Sequence, residues 1–225
     1  MKRFLCLLLA CALLCGCAAA GNETERKTYE ATFLTLFDTV TVVKGAADSK
    51  EAFSEIAYAI RDELQEYHQL FDIYNDYEGI SNLKTVNDMA GQAPVKVDRR
   101  IIELLLDCRA YYKLTGGMVN VAMGSVLKLW HNARNAGIND PANARLPDMD
   151  QLKEAAQHAD IEAIMIDEEA STVYIADPKV QIDVGAVAKG WSAQRVAENA
   201  PEGLLISVGG NVCATGPKDE KGTPW

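Results

Sequence analysis

The chain has 225 residues, 48% of them apolar and 24% charged, with a formal net charge of −10. That length and balance describe a globular chain of one large or two small domains. The acidic charge excludes nucleic acid or anionic lipid as a partner recruited by charge, and past the N-terminus no stretch is long and apolar enough to span a bilayer.

At the N-terminus, Lys2 and Arg3 precede the apolar run 4–14, which ends in small residues and reads as a secretory signal. Leu14-Cys15-Gly16-Cys17 looks like the lipobox of bacterial lipoproteins, in which cleavage leaves Cys17 as a lipidated N-terminus. More than one acyl chain on Cys17 supports stable anchoring to the outer face of the cytoplasmic membrane or its periplasmic side. Residues 1–16 are therefore read as a lipoprotein signal peptide, 17–27 as lipidated Cys and polar tether, and 28–225 as the folded domain. Cys6, Cys11 and Cys15 leave with the signal, so Cys108 and Cys213 remain; a disulfide between them is allowed but unforced.

Residues 31–43 are β-branched and partly alternating, which predicts a strand with Phe37-Asp38-Thr39 inside it. Asp48 and Glu51 are spaced as a capping box, and Phe53, Ile56, Ala57, Ile60, Leu64 and Tyr67 share one helical face. His68 ends that helix and reads as a surface residue. Residues 71–91 show no clean period and predict a long ordered loop or short turns, a class that tends to carry function. Asp98 caps a second helix with Ile101, Leu104, Leu105, Cys108 and Tyr112 inward and Gly116-Gly117 as its stop. Residues 118–130 cross Gly124 into an apolar helical run, and Asp148 with Gln151 caps another helix. Short strands are expected at 163–166, 172–175, 180–184 and 204–208. Strands and helices in blocks predict an α+β fold with a mixed or antiparallel sheet and packed helices.

The most informative stretch is 181–196, QIDVGAVAKGWSAQRV. Val180, Ile182 and Val184 alternate with polar residues as in a half-buried strand. From Gly185 onward, small residues run into Trp191, Ala193, Val196 and Ala197 at helical spacing. A strand running into a helix start suits an anion, because free N–H groups and the positive dipole end face outward and Lys189 adds a charge. Asp183 suits a sugar hydroxyl or a hard cation. The same turn also fits simple helix packing. No Gly-x-Ser-x-Gly elbow, no His pair at metal spacing and no persuasive Cys–His combination points to nucleophilic hydrolysis.

Taken in series, the motifs resemble the ApbE family, FAD:protein FMN transferases that are often bacterial lipoproteins. They are Phe37-Asp38-Thr39, Tyr74 to Asn87, Gly116-Gly117 through Ala122-Met123-Gly124 to Leu129-Trp130, Asp183-Val-Gly-Ala186-Val-Ala-Lys189-Gly190, and Ser207-Val-Gly-Gly-Asn211. The resemblance implies Mg²⁺-dependent cleavage of the FAD diphosphate, attachment of FMN to a Thr hydroxyl of an acceptor protein, and release of AMP. It places FAD contacts on Asp183 and Lys189, and one Mg²⁺ contact on the backbone carbonyl of Ala186. It puts Ala122, Met123 and Gly124 along the flavin site and Tyr74 against a cofactor ring. Phe37 stands where many relatives have Met, Asn120 where they usually have Asp, and Ser125 where they have Pro. The usual acceptors in the family belong to redox pumps of the Rnf and Nqr type.

Family members continue well beyond the position of Trp225, into a segment supplying most metal ligands and the catalytic carboxylate. The expectation is therefore a C-terminally truncated chain, poorly soluble, with its catalytic residues beyond Trp225 and without transfer activity alone. The alternatives are a non-catalytic flavin-binding lipoprotein, or an FAD diphosphatase giving FMN and AMP.

Overall fold

The structure, a computed structural model, describes residues 26–225. The signal, the lipobox and Cys17 lie outside these residues. The first half of the fold is a hairpin and a long helix. β1 (Lys27–Phe33) pairs antiparallel with β2 (Thr41–Ala47) across a loop holding a 3-10 turn, Leu36–Asp38. The strand expected over 31–43 is thus interrupted: Phe37 and Asp38 take φ of 51° and 52°, a left-handed backbone that no strand accommodates.

α1 (Lys50–Phe71) follows, capped by Ser49, whose hydroxyl accepts from the Ala52 N–H at 3.1 Å. Ser49, not Asp48, is the cap. The expected face is buried at Phe53, Ala57, Ile60, Leu64 and Tyr67, with Ile56 at its margin. It packs on β2, whose inward residues Thr41, Val43, Gly45 and Ala47 are mostly small and let the helix approach.

The region expected as loop between 71 and 91 contains a helix, α2 (Leu83–Asp88). Its signal is Asn82, whose side chain accepts from the Thr85 N–H at 3.1 Å while the Thr85 hydroxyl takes the Asn82 N–H at 3.3 Å. This reciprocal cap stabilises a helix too short to show a period. β3 (Val95–Lys96) leads to α3 (Arg99–Leu114), capped by Asp98 and buried at Ile101, Leu104, Leu105 and Cys108, with Tyr112 half-buried. It ends just before Gly116-Gly117. Next come α4 (Gly124–Asn139) and α5 (Met149–Ala156), the latter capped by Asp148 through the N–H groups of Asp150 and Gln151.

β4 (Ile164–Asp167) and β5 (Thr172–Ile175) pair antiparallel, and β3 joins them in a three-stranded sheet. After them come α6 (Ala188–Asn199), β6 (Leu204–Val208) and β7 (Asn211–Ala214). The larger sheet has the order β1-β2-β6-β7, all antiparallel. Gly209 and Gly210, at φ of 56° and 87°, form the two-residue turn between β6 and β7, a backbone that only glycine adopts readily. α1 and α6 pack on this sheet and against each other, so the core lies between them and strands β2 and β6. This is an α+β fold with antiparallel sheets and packed helices, as the block pattern predicts.

Residues 180–184 do not join either sheet. Val180, Ile182 and Val184 are buried, as their alternation predicts, but the backbone finds other partners. Asp183 N–H donates to the Val121 carbonyl at 2.8 Å, and the Gln181 carbonyl accepts from Gly124 N–H at 2.9 Å. The Asn87 side chain takes the Ile182 N–H at 2.7 Å and returns its own N–H to the Ile182 carbonyl at 2.9 Å. One side-chain amide thus stands in for a neighbouring strand.

Candidate functional site

The extended segment 180–184 ends at a cleft of about 500 Å³. One wall is Phe37 and Asp38 from the β1–β2 loop, with His68 and Phe71 from the last turn of α1. Asp72, Ile73 and Tyr74 form the lip beyond that helix. The opposite wall is Leu127, His131 and Arg134 of α4, and the floor is residues 183–186 with Ala188 and Lys189.

The floor is built by local rules. The Asp183 carboxylate, 9% exposed, accepts the Gly185 N–H at 2.8 Å and so fixes the turn out of the extended segment. α6 then begins at Ala188 with no side-chain cap; the Val184 carbonyl takes the N–H groups of Val187 at 2.9 Å and Ala188 at 2.8 Å, and Lys189 follows in the first turn beside the positive end of the helix. Its position is set from behind. Trp191 stands with its ring edge-on to Tyr67 and Phe71, both centroids at 5.5 Å, and its indole N–H donates to Asp107 at 2.8 Å. The start of α6 is thereby tied to the end of α1, so Lys189 and Phe71 face one space.

The walls are held by a hydrogen-bonded lip. Asp72 accepts from Tyr74 N–H at 2.6 Å, Asn75 N–H at 3.1 Å, the Asn75 side chain at 2.9 Å and the Tyr77 hydroxyl at 2.8 Å. Burial pushes the Asp72 carboxyl up, but these donors outweigh it and hold the group below its ordinary value. Tyr77, desolvated and bonded to that carboxylate, is pushed up to about 12. Tyr74 is raised by burial and then by the charge of Asp183, and its hydroxyl bonds His131 Nδ1 at 2.7 Å across the cleft. His68, expected at the surface, is instead partly buried: Nδ1 takes the Phe37 N–H at 3.1 Å and Nε2 meets the Tyr77 hydroxyl at 3.3 Å. The left-handed Phe37 costs on the order of 1–3 kcal/mol and persists only where its surroundings over-determine it.

The cleft therefore brings together Phe37, Tyr74, Asp183, Ala186 and Lys189. Ala122, Met123 and Gly124 stand behind it rather than on its lining. Ala122 is fully buried with its N–H on Asn120 Oδ1 at 2.9 Å, Met123 precedes α4, and Gly124 packs on the Gln181 carbonyl. They join α4 to the extended segment. Three carboxylates (Asp38, Asp72, Asp183) and the cations Arg134 and Lys189 line one space. An uncapped helix start beside cations takes a phosphate, and the aromatic wall takes a planar ring. Asp72, His131 and Arg134 escape the sequence reading, which takes His68 as a surface residue and gives Asn87 no role of its own. Leu127, His131 and Arg134 are spaced i, i+4, i+7 and share a helical face, which was the available signal. Cys108 and Cys213 are both free thiols.

The same architecture occurs in solved ApbE proteins. The ApbE protein of Thermotoga maritima superposes with a TM-score of 0.70 at 25% identity, covering 85% of this chain and 60% of that one. The flavin transferase ApbE of Pseudomonas stutzeri gives 0.71 at 18% identity, covering 89% and 62%. The FAD:protein FMN transferase of Treponema pallidum is 30% identical over 220 residues, 94% of this chain and 58% of its own length; that of Vibrio cholerae is 25% identical over 236 residues, 100% and 64%. The chain belongs to the ApbE family, whose sequence profile matches residues 34–225. That is a family of flavin-handling enzymes. The chain spans about three fifths of the length of these curated relatives.

Proposed function

We propose that the cleft binds FAD and serves transfer of its FMN half to a Thr hydroxyl of an acceptor protein, with AMP as the leaving group. The observation that carries this reading is the convergence of Asp183, Ala186 and Lys189 on one uncapped helix start, opposite the Phe37 and Tyr74 rings. Lys189 and the start of α6 neutralise the diphosphate, Asp183 holds the turn and a polar group of the nucleotide, and the aromatic wall covers the isoalloxazine. In the transfer, the Thr oxygen forms a bond to the FMN phosphorus, the P–O bond to AMP breaks, and AMP takes the electron pair while the Thr proton passes to a base.

Were Mg²⁺ bound with the nucleotide, the Ala186 carbonyl would be the donor this chain supplies to it, and the ion would neutralise charge on the diphosphate. Among the described residues no group of three or more His, Cys, Asp or Glu is placed to hold a metal ion. These residues alone therefore offer the ion a single carbonyl and no carboxylate cluster, whereas Mg²⁺ is commonly held by one or two protein oxygens together with water and substrate phosphates. In this reading Cys17 carries the lipid anchor, residues 17–27 form the tether and 28–225 the flavin-binding domain, on the outer side of the cytoplasmic membrane. An acceptor in an Rnf- or Nqr-type redox pump fits that location.

Titrating FAD into folded variants tests the cleft. Lys189→Ala removes a charge-assisted contact and should weaken FAD binding by about tenfold to a hundredfold, with partial rescue in Lys189→Arg. Asp183→Ala should weaken it too. Unchanged dissociation constants in both alanine variants would reject the assignment.

A further inference from the structure

Two successive non-glycine residues, Phe37 and Asp38, are left-handed in a loop between two strands, and the Phe37 N–H leaves that loop to reach a side chain of α1. A backbone N–H can only donate. His68 Nδ1 must therefore carry its lone pair, and the neutral ring then bears its proton on Nε2, which points at the Tyr77 oxygen. The Tyr77 hydroxyl hydrogen is left free to donate to Asp72, as its 2.8 Å separation requires. Asp72 in turn accepts the N–H of Tyr74. Every donor and acceptor along this line is consistent with one protonation pattern. It runs from the Phe37 loop to the Tyr74 lip, and both ends line the cleft. The rings agree with the bonds, since His68 stands edge-on to Phe37 at 5.6 Å and to Tyr77 at 6.3 Å.

We propose that His68 is a positioning residue which, as the Nε2–H tautomer, ties the left-handed Phe37 loop to the Tyr77–Asp72–Tyr74 lip and so sets the separation of the aromatic walls that receive the flavin ring. The proposal rests on reading the cleft as an FAD site. It concerns the flavin end alone, because none of these bonds reaches Lys189 or Ala186.

The test uses three variants and two ligands. His68→Ala removes both bonds, His68→Asn restores an acceptor oxygen where Nδ1 stands, and Tyr77→Phe cuts the line at its middle. FAD reports both ends of the cleft and ADP only the diphosphate end. His68→Ala should weaken FAD binding by about three- to tenfold and leave ADP unchanged, with His68→Asn recovering most of the loss and Tyr77→Phe falling between. Equal losses for FAD and ADP, no loss in His68→Ala, or no recovery in His68→Asn would overturn the proposal. Hydrogen exchange of the Phe37 amide gives a readout without flavin. It should be slow in wild type and His68→Asn and at least about tenfold faster in His68→Ala. Exchange unaffected by His68→Ala overturns the link even if FAD binds. Failure of wild type to bind FAD removes the reading of the cleft, while the exchange data still decide the network.

Discussion

Asn87→Ala should cost this domain more than the small cavity it leaves, because among the described residues Asn87 is the one hydrogen-bonding partner of the Ile182 backbone. The side chain accepts the Ile182 N–H at 2.7 Å and donates to the Ile182 carbonyl at 2.9 Å, and Ile182 is 0% exposed. Truncation strands one buried donor and one buried acceptor. Each costs about 1–3 kcal/mol when left unpaired, and since Asn87 is itself half-buried, water recovers part of this, giving about 2–4 kcal/mol in total. Against a typical stability of about 5–15 kcal/mol the variant stays folded in dilute buffer but its urea midpoint falls, with the slope unchanged. Asn87→Asp discriminates further: it keeps the acceptor for the N–H and turns an oxygen toward the carbonyl, so it should be no better than alanine. Because Asp183 follows Ile182, both variants should also weaken FAD binding after correction for the unfolded fraction. A loss under about 1 kcal/mol in Asn87→Ala would refute the claim that this amide replaces a strand.

Gly124→Ala places a Cβ 2.8 Å from the carbonyl carbon of Gln181, so α4 must shift; a loss of about 1–3 kcal/mol is expected, read as a lower melting temperature, and an unchanged one would contradict the packing. Asp72 is held below its ordinary value in the folded state, so its stabilisation is present above the unfolded carboxylate value and is lost as pH falls through the lower folded one. Urea midpoints should therefore decline on acidification below about pH 4 more steeply in wild type than in Asp72→Asn, and parallel declines would count against the lip network. Cys108 is buried and its thiol is pushed up to about 12, so a thiol reagent on folded protein, followed by peptide mapping, should label Cys213 well before Cys108. Equal labelling would show that α3 opens in the native state.

The amphipathic period of α1 and α3, the Asp98 and Asp148 caps and the switch of period near Gly185 are all local signals. They were legible because side-chain direction along a helix or strand repeats with the backbone. Family membership was legible for the same reason, through short motifs in a fixed order. Periodicity, however, reports which side of a segment is buried and is silent on what satisfies its backbone. Residues 180–184 alternate like any strand, and only tertiary contact decided that Asn87, Val121 and Gly124 would take the places of sheet neighbours. The 3-10 turn through Phe37 contradicts its own β propensity and exists because His68, 31 positions later, receives its N–H. His68 has no sequence neighbour that explains it, and its partners Phe37 and Tyr77 come from two different loops. The cleft is likewise a meeting of four chain segments. The residue types that line it were encoded locally, but the space they share was set by Trp191 packing on Tyr67 and Phe71, a contact between helices more than a hundred residues apart.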